Sequence, residues 1–569
     1  MLQIIRTPKV FDVCIIGSGA AGGMAAKVLA EGGLEVVMLE AGPNIDPGKD
    51  YKEHVMPYEL ARRGAGIGGA GYKDFGRTEL MAPYGAWTIE GEPYTSAPGS
   101  KFRWFRSRVV GGRTNHYGRI SLRFAEVDFR SRSSDGEGDD WPITYQDLQP
   151  YYDKVDSYIG IFGSNEGIPS APDGIFQPPP KPRCTDLIIK KSCDKLGIIC
   201  IPSRFAILTQ PLNGRPACHY CDQCGRGCRT ASNFSSSQVL IPPAAATGRF
   251  TLVTDAMARE ILVDKNGKAA AVSYVDKATR SERQVRARAF VVAASSCEST
   301  RLLLNSRSQL FPNGLANSSG VVGRYLMDSV GSSGSGYFPQ LEKMPRHNHD
   351  GVGGMHLYIP WWKFDRKNDF LRGYHIEYGG GRSMPGVGDF DRVCKSHEGY
   401  GASLKQECRK KYGAFIGFGG RGEMMPNEKT YCEIDPNVVD QWGIPVLRFH
   451  FEWRENEIKM AKDMQEVFQQ IVEAAGGTYL TKTSPTGSNP YGIQDGGEII
   501  HEVGTVRMGR NPHTSALNGF CQAHDVKNLF VTDGACFVSN PDKNPTLTIT
   551  AMAWRASDYL IEEARKGNL

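Results

Sequence analysis

Near the start of the chain the apolar positions run together over residues 11–16, a length and bounding that suit a strand buried on both faces. Gly17, Gly19 and Gly22 follow in G-x-G-x-x-G spacing, at the mouth of a helix that the pattern carries to about Glu31. A second apolar strand over 35–39 then ends in Glu40. Each glycine removes a side chain where something must come close: at the tight turn, at a pyrophosphate, and where helix meets strand. The helix start, with Ala20 in its first turn, offers unpaired N–H groups and partial positive charge to phosphate oxygens. Glu40, eighteen residues beyond Gly22, suits a ribose hydroxyl and would repel a 2′-phosphate. This βαβ pattern predicts a dinucleotide site. It does not separate FAD from NAD, because both set a pyrophosphate on the same helix end.

Other stretches are read the same way. The run 291–303 is a strand passing into a helix, and Asn544, Pro545 and Thr546 open an apolar-periodic helix over 547–554. Asparagine is a favoured N-cap and proline a favoured first helical residue, so the local pattern alone makes Asn544 a cap. Basic and aromatic residues alternate over 101–108, which reads as a strand leading into Gly111 and Gly112. One such stretch on a chain of net charge +5 argues against a nucleic-acid surface. At 569 residues, two to four domains or subdomains are expected. No apolar run approaches the roughly eighteen residues that cross a bilayer. The first strand begins at about residue 10 with no secretory leader before it, which predicts a cytoplasmic protein, or one exported as the passenger of a signal-bearing partner.

Five motifs occur in fixed order: the opening site, the run Gly111, Gly112, Arg113, Thr114, Asn115, His116, Tyr117, the stretch 291–303, the run His501, Glu502, Val503, Gly504, Thr505, and Asn544-Pro545-Thr546. With 141–145 and 322–328, this series resembles the glucose-methanol-choline (GMC) oxidoreductases from about residue 10 to about residue 560. The resemblance implies a discontinuous α/β Rossmann-type FAD-binding domain plus an α+β substrate domain with an antiparallel sheet. Residues 1–330, with a cysteine-rich loop at about 215–230, and 496–569 would form the first, and 331–495 the second. Apparent insertions fall at 347–350, at Trp361 and Trp362, and over the glycine-rich span 379–401. The resemblance also implies that Gly17, Gly19, Ala20, Gly22 and Glu40 hold FAD. Gly112, Asn115 and His116 would approach the flavin, Ala258 the adenine, and Asp533 with Gly534 the pyrophosphate or ribityl chain. Pro545 and Thr546 would aim a helix end at flavin N1 and O2. Some sugar-oxidising relatives link flavin covalently to a histidine in a G-G-x-S/T-T-H-W context. Asn115 and Tyr117 depart from it, leaving His116 as either a covalent link or a non-covalent wall of the site.

Oxidising an alcohol with flavin moves a hydride to flavin N5 while a base takes the hydroxyl proton. The resemblance gives His501 the base's role and Asn544 that of its partner, with Gly504 and Thr505 passing close to the flavin ring. A sugar, glycoside or polyol is the expected substrate, and Trp361, Trp362, Tyr374 and Tyr378 suit stacking on sugar faces. Electrons would pass to a quinone, a cytochrome or a partner subunit. An oxygen-using oxidase and a non-catalytic flavin relay subunit are the competing readings.

Cys218, Cys221, Cys224 and Cys228 are spaced C-x2-C-x2-C-x3-C, the spacing of ferredoxin-type iron-sulfur ligation. The proline that usually follows is Arg229 here. Tetrahedral zinc and unliganded thiols remain open as well. Most of the other cysteines among the fourteen, such as Cys14, Cys297 and Cys432, sit in apolar settings that predict buried reduced thiols.

Overall fold

A computed structural model of the chain describes residues 9–55, 59, 84–345, 351–364, 368–381, 393–394 and 397–569. The insertion at 347–350, together with 382–392 and 395–396 of the glycine-rich span, lies outside the described residues. The opening unit is strand β1 (Val10–Ile16), helix α1 (Ala20–Glu31) and strand β2 (Val36–Leu39), with β1 and β2 parallel. Its neighbours arrive from far along the chain. β3 (Phe250–Val253) lies parallel to β2. β4 (Ala256–Val263), β5 (Ala269–Asp276) and β6 (Glu282–Val292) form an antiparallel meander. The eleven residues of β6 do two jobs: its first half pairs with β5, and its second half runs parallel to β1. Helix α2 (Ser296–Asn305) follows.

A second sheet comes next in the chain. β7 (Val330–Tyr337), β8 (Tyr374–Gly380) and β9 (Phe415–Gly422) pair antiparallel, helix α3 (Glu455–Ala474) covers one face, and β10 (Thr478–Tyr479) adds an edge. The chain then returns to the first sheet with β11 (Leu529–Val531), parallel to β6, and ends in α4 (Thr546–Lys566), which packs on α1. The expected architecture, a discontinuous Rossmann-type sheet with an antiparallel sheet beside it, is present. Among the described residues no helix is long and apolar enough to cross a membrane.

The second sheet has one face cleared for α3. A Cβ at Gly334, Gly336, Gly420 or Gly422 would lie 2.2–2.8 Å from atoms of Phe468, Val472, Met464 and Met460 respectively. Those four helix residues recur every fourth position and form one stripe. Successive strand residues point to opposite faces, so His375 and Glu377 on β8 and Arg421 on β9 share the other face. The same alternation overturns the expectation for the aromatics. Tyr374 and Tyr378 point into the core on the helix side, and Trp361 lies 5.1 Å from the Tyr374 ring and 5.7 Å from Trp362. All four are buried core residues. The reading of 101–108 as a strand also fails: only Arg106–Ser107 is strand, the rest is irregular chain, and 104–108 runs along the wall of the first sheet's cavity.

Candidate active site

The carboxyl ends of β1, β2, β6 and β11 open into a cavity of about 380 Å³, the location where parallel α/β sheets bind ligands. The turn after β1 is built by packing. Gly17 has φ +96°, and a Cβ there would lie 2.4 Å from the Ala293 carbonyl; one at Gly22 would lie 1.9 Å from the Gly17 carbonyl. Gly19 is different, because a Cβ there would meet no protein atom within 4 Å. It stands at the start of α1, whose N-terminus has no side-chain cap and no acidic residue in its first turn. Uncapped N–H groups facing a bare backbone fit a pyrophosphate. Glu40 accepts from the amides of Ser18 at 3.2 Å and Gly42 at 2.9 Å and from the Ser18 hydroxyl, while burial pushes its carboxyl above the usual range. These residues fit FAD.

The cavity is lined by Gly17, Gly19, Ala20, Glu40, Gly112, His116, Ala258, Asp533, Gly534, His501, Asn544, Pro545 and Thr546, gathered from five separate stretches. The carboxylate of Asp533 is spent within the protein, accepting from Ser295 N at 2.9 Å, Ala535 N at 2.9 Å and the Ser299 hydroxyl. Burial lowers the His116 ring to about 3, and its Nε2 has no partner among the described residues. Four expected residues lie elsewhere, and Gly22 is one of them, packed against the Gly17 carbonyl. Asn115 is fully buried, its amide donating to Val110 O at 3.0 Å and Gly112 O at 3.1 Å and accepting from Ser237 at 2.8 Å, so it holds the 111–115 turn together. A Cβ at Gly504 would strike the Tyr325 carbonyl at 2.4 Å, so its close approach is to protein backbone and not to the cavity. Thr505 bonds Ser296 at 2.9 Å. The stretch 322–328 docks here, with Met327 and Val503 exchanging both backbone hydrogen bonds at 3.0 Å.

His501 and Asn544 meet at the cavity wall, with Asn544 Nδ2 3.3 Å from His501 Nε2. Asn544 is not the helix cap: α4 starts at Thr546 with Pro545 in the cap position, and the Asn544 amide turns to His501 and Glu377 instead. Ser329 Oγ lies 2.9 Å from His501 Nδ1, and the Asp328 carboxylate accepts from His501 N at 2.9 Å and Ile499 N at 3.3 Å. Burial, reinforced by the Arg421 guanidinium, lowers His501 to about 3, while Glu377 pulls the other way. Asp328 is pushed up to about 7 by burial and by the charge of Glu502. Arg113, in the turn after Gly112, pairs with Glu502 and donates to Ser295 Oγ at 2.6 Å, tying three of the motifs together.

Ser329, His375, Glu377, Arg421, Asp328 and Arg113 were not singled out from the sequence. For two of them a signal exists: in 374–378 aromatic and aliphatic residues alternate with His375 and Glu377, which assigns both to one strand face.

The four thiols of the cysteine loop are near neighbours, and after burial they help to raise Cys218 and Cys221. Among the described residues no three His, Cys, Asp or Glu side chains are arranged to hold a metal ion. Burial raises the Cys218 thiol to about 12 and the Cys221 thiol to about 11, and a Cβ on Gly353 would lie 2.8 Å from Cys224 Sγ, so that thiol is walled by backbone. The spacing is that of an iron-sulfur cluster, and the arrangement of the described side chains gives no support for one. All fourteen cysteines are free, and eight are buried.

Residues 15–329 and 426–553 match the two parts of the family described as GMC oxidoreductase. The chain is 33% identical over 564 residues to the 2-methyl-1,2-propanediol dehydrogenase of Mycolicibacterium austroafricanum, covering 96% of this chain and 95% of that one. It is 26% identical over 570 residues to the fructose dehydrogenase large subunit of Gluconobacter japonicus, covering 98% of each. A formate oxidase structure from Aspergillus oryzae is similar in fold, with TM-score 0.66 at 14% identity over 99% of this chain and 100% of that one. The chain therefore belongs to the glucose-methanol-choline oxidoreductase family and is an FAD-dependent alcohol or sugar oxidoreductase.

Proposed function

We propose that the chain oxidises a hydroxyl of a sugar, glycoside or polyol, with His501 as the base, Asn544 as its partner, and a non-NAD acceptor for the electrons. The observation that carries this reading is the approach of His501 Nε2 and Asn544 Nδ2 to 3.3 Å on the wall of the cavity that fits FAD. FAD, when bound there, supplies the hydride acceptor. The rest is the protein's work. A substrate hydroxyl between the two side chains donates its proton to His501 Nε2 and accepts a hydrogen bond from Asn544 Nδ2. His501 is unprotonated at neutral pH because burial holds it low. The positive ring formed on proton uptake is stabilised by the nearby Glu377 carboxylate.

The diol and fructose dehydrogenases among the relatives support a polyol or sugar substrate, and the large-subunit relative supports a partner subunit as the route for the electrons. An oxygen-using oxidase is the second reading, and peroxide produced on aerobic turnover would favour it. No step is routed through the four cysteines. We read His116 as a non-covalent wall; acid precipitation should then leave the yellow colour in the supernatant, and colour in the pellet would assign it a covalent link.

The test is flavin reduction without oxygen, with polyols and sugars as substrates. His501→Ala and Asn544→Ala should each retain FAD while slowing reduction about 100- to 10,000-fold. Reduction at the wild-type rate in both would remove the pair.

A further inference from the structure

Beside His501 and Asn544 stands a set of charged side chains that takes no part in the nucleotide cradle. Glu377, Arg421 and His375 come from the strand face turned away from α3, and none is among the cavity-lining residues. They converge on the Asn544 amide. An amide nitrogen carries two N–H donors and its oxygen only accepts. Asn544 Nδ2 lies 3.4 Å from Glu377 Oε1 and 3.3 Å from His501 Nε2, so both of its hydrogens have a target. Its Oδ1 is buried with no partner among the described residues.

The carboxylate decides this arrangement. Burial alone would raise Glu377, but Arg421 and the hydrogen bond from His375 outweigh it and bring the carboxyl to about 2, so it is ionised and can only accept. Turning the Asn544 amide by half a turn would set Oδ1 against Glu377 Oε1, lone pair facing lone pair in a desolvated site. One orientation remains, with Nδ2 inward. Its second hydrogen then points at His501 Nε2, which must be bare to receive it. The tautomer that satisfies this carries its hydrogen on Nδ1 and donates to Ser329 Oγ at 2.9 Å.

We infer that Glu377 is a positioning residue for the acid–base pair: clamped by Arg421 and His375, its carboxylate fixes the Asn544 amide and thereby keeps His501 Nε2 free to take a proton. The clamp is specific. Arg421 meets Glu377 Oε2 at 3.4 Å, and His375 Nε2 meets Oε1 at 3.2 Å. The other nitrogen of His375 faces the Asp542 carbonyl, two residues before Asn544. Lys543 between them is buried and paired with Asp128 at 3.0 Å. The loop that carries Asn544 is therefore held through its backbone, its lysine and its amide. When a substrate hydroxyl enters, it takes the Nδ2 hydrogen that faces His501, and Glu377 keeps the other. Glu377 acts through Asn544 and does not itself touch the reacting atoms.

The inference rests on the reading of His501 as the base, and its test separates the two. Holoenzyme labelled with 15N in histidine reports which nitrogen of His501 carries hydrogen, the resonance being assigned from His501→Asn. Wild type and Glu377→Asp should both show Nε2 bare. In Glu377→Gln the new amide can donate to Asn544 Oδ1, the Asn544 amide is free to turn, and the Nε2–H tautomer should appear. Anaerobic flavin reduction, by whichever of 1,2-propanediol, glycerol and D-fructose reacts fastest, should slow about 10- to 100-fold in Glu377→Gln. The double variant with Asn544→Ala should be no slower than Asn544→Ala alone. Unchanged melting temperature and flavin content establish that the variants fold. An unaltered tautomer in Glu377→Gln, or effects of the two substitutions that multiply, would overturn the positioning role. Wild-type reduction in His501→Ala would instead sink the assignment of the base, whatever the tautomer.

Discussion

In the parallel sheet glycine clears room for a ligand; in the antiparallel sheet it clears room for a helix. Gly19 leaves bare backbone at the mouth of α1, whereas Gly334, Gly336, Gly420 and Gly422 let the Met460, Met464, Phe468 and Val472 stripe of α3 lie against the strands. The first sheet thus makes its site largely from backbone groups at strand ends and a helix terminus. The second contributes side chains: with one face closed by the helix, His375, Glu377 and Arg421 stand on the other and turn toward Asn544 and His501. A site made of backbone tolerates almost no added atom. A site made of side chains depends instead on how each is oriented.

The largest test of this contrast lies within the cradle itself. Gly22→Ala places a Cβ 1.9 Å from a backbone carbonyl and should cost about 3 kcal/mol or more, lowering both the melting temperature and the flavin content of the purified protein. Gly19→Ala meets no protein atom within 4 Å. Its apoprotein should melt as wild type does while affinity for FAD falls about tenfold or more, since the methyl enters the space of the ligand. Equal flavin affinity in Gly19→Ala and wild type would mean that the pyrophosphate is not held at this helix end.

A smaller effect is expected on the helix-packed face. Gly420→Val drives side-chain atoms into Met464, whose Sδ already stands 2.4 Å from the position of a Cβ, and overpacking of this kind costs about 1–3 kcal/mol. Urea unfolding should show that loss with flavin content unchanged, and Met464→Ala in the same chain should recover part of it. Loss of flavin at wild-type stability would contradict the separation of the two sheets' roles.

The same contrast explains what could be read in advance. The cradle was legible because its parts, from Gly17 to Glu40, lie within one βαβ unit and each glycine has a local reason. His501 and Asn544 were reached through resemblance, since nothing local distinguishes Asn544 from a helix cap; only the fold shows that Pro545 takes that position. Glu377 and Arg421 lie on paired strands 44 residues apart, and their meeting with Asn544 is a matter of strand register and sheet docking. The aromatics misled for a related reason. Composition suggested a sugar platform, but alternation along β8 sends Tyr374 and Tyr378 to the side of α3. In the cysteine loop the spacing was legible and what it holds was not, because spacing along a chain does not fix where the sulfur atoms point.

The most delicate test lies at the seam, where the backbone N–H of His501 donates to Asp328. Their ionisations are displaced in opposite senses. His501 falls from 6.5 to about 3, so between these values the unfolded chain binds a proton there that the folded chain does not, and stability drops as pH drops. Asp328 rises from 3.8 to about 7, so across that window the folded chain binds the extra proton, and stability rises as pH drops. From pH 3.8 to 6.5 the two contributions have opposite sign and nearly equal slope, up to about 1.4 kcal/mol per pH unit each. In wild type the two should therefore largely offset each other. Removing one should expose the other: Asp328→Asn should lose stability on acidification relative to wild type, and His501→Asn should gain it. Glu377, Arg421, His375, Arg113 and Glu502, which face the seam, are present in all three proteins and enter as a shared background. Melting temperatures of the three proteins from pH 4 to 7, taken as differences from wild type, should therefore diverge in opposite directions. Parallel curves would mean that the imidazole and the carboxyl do not both lie in the dry seam between the sheets.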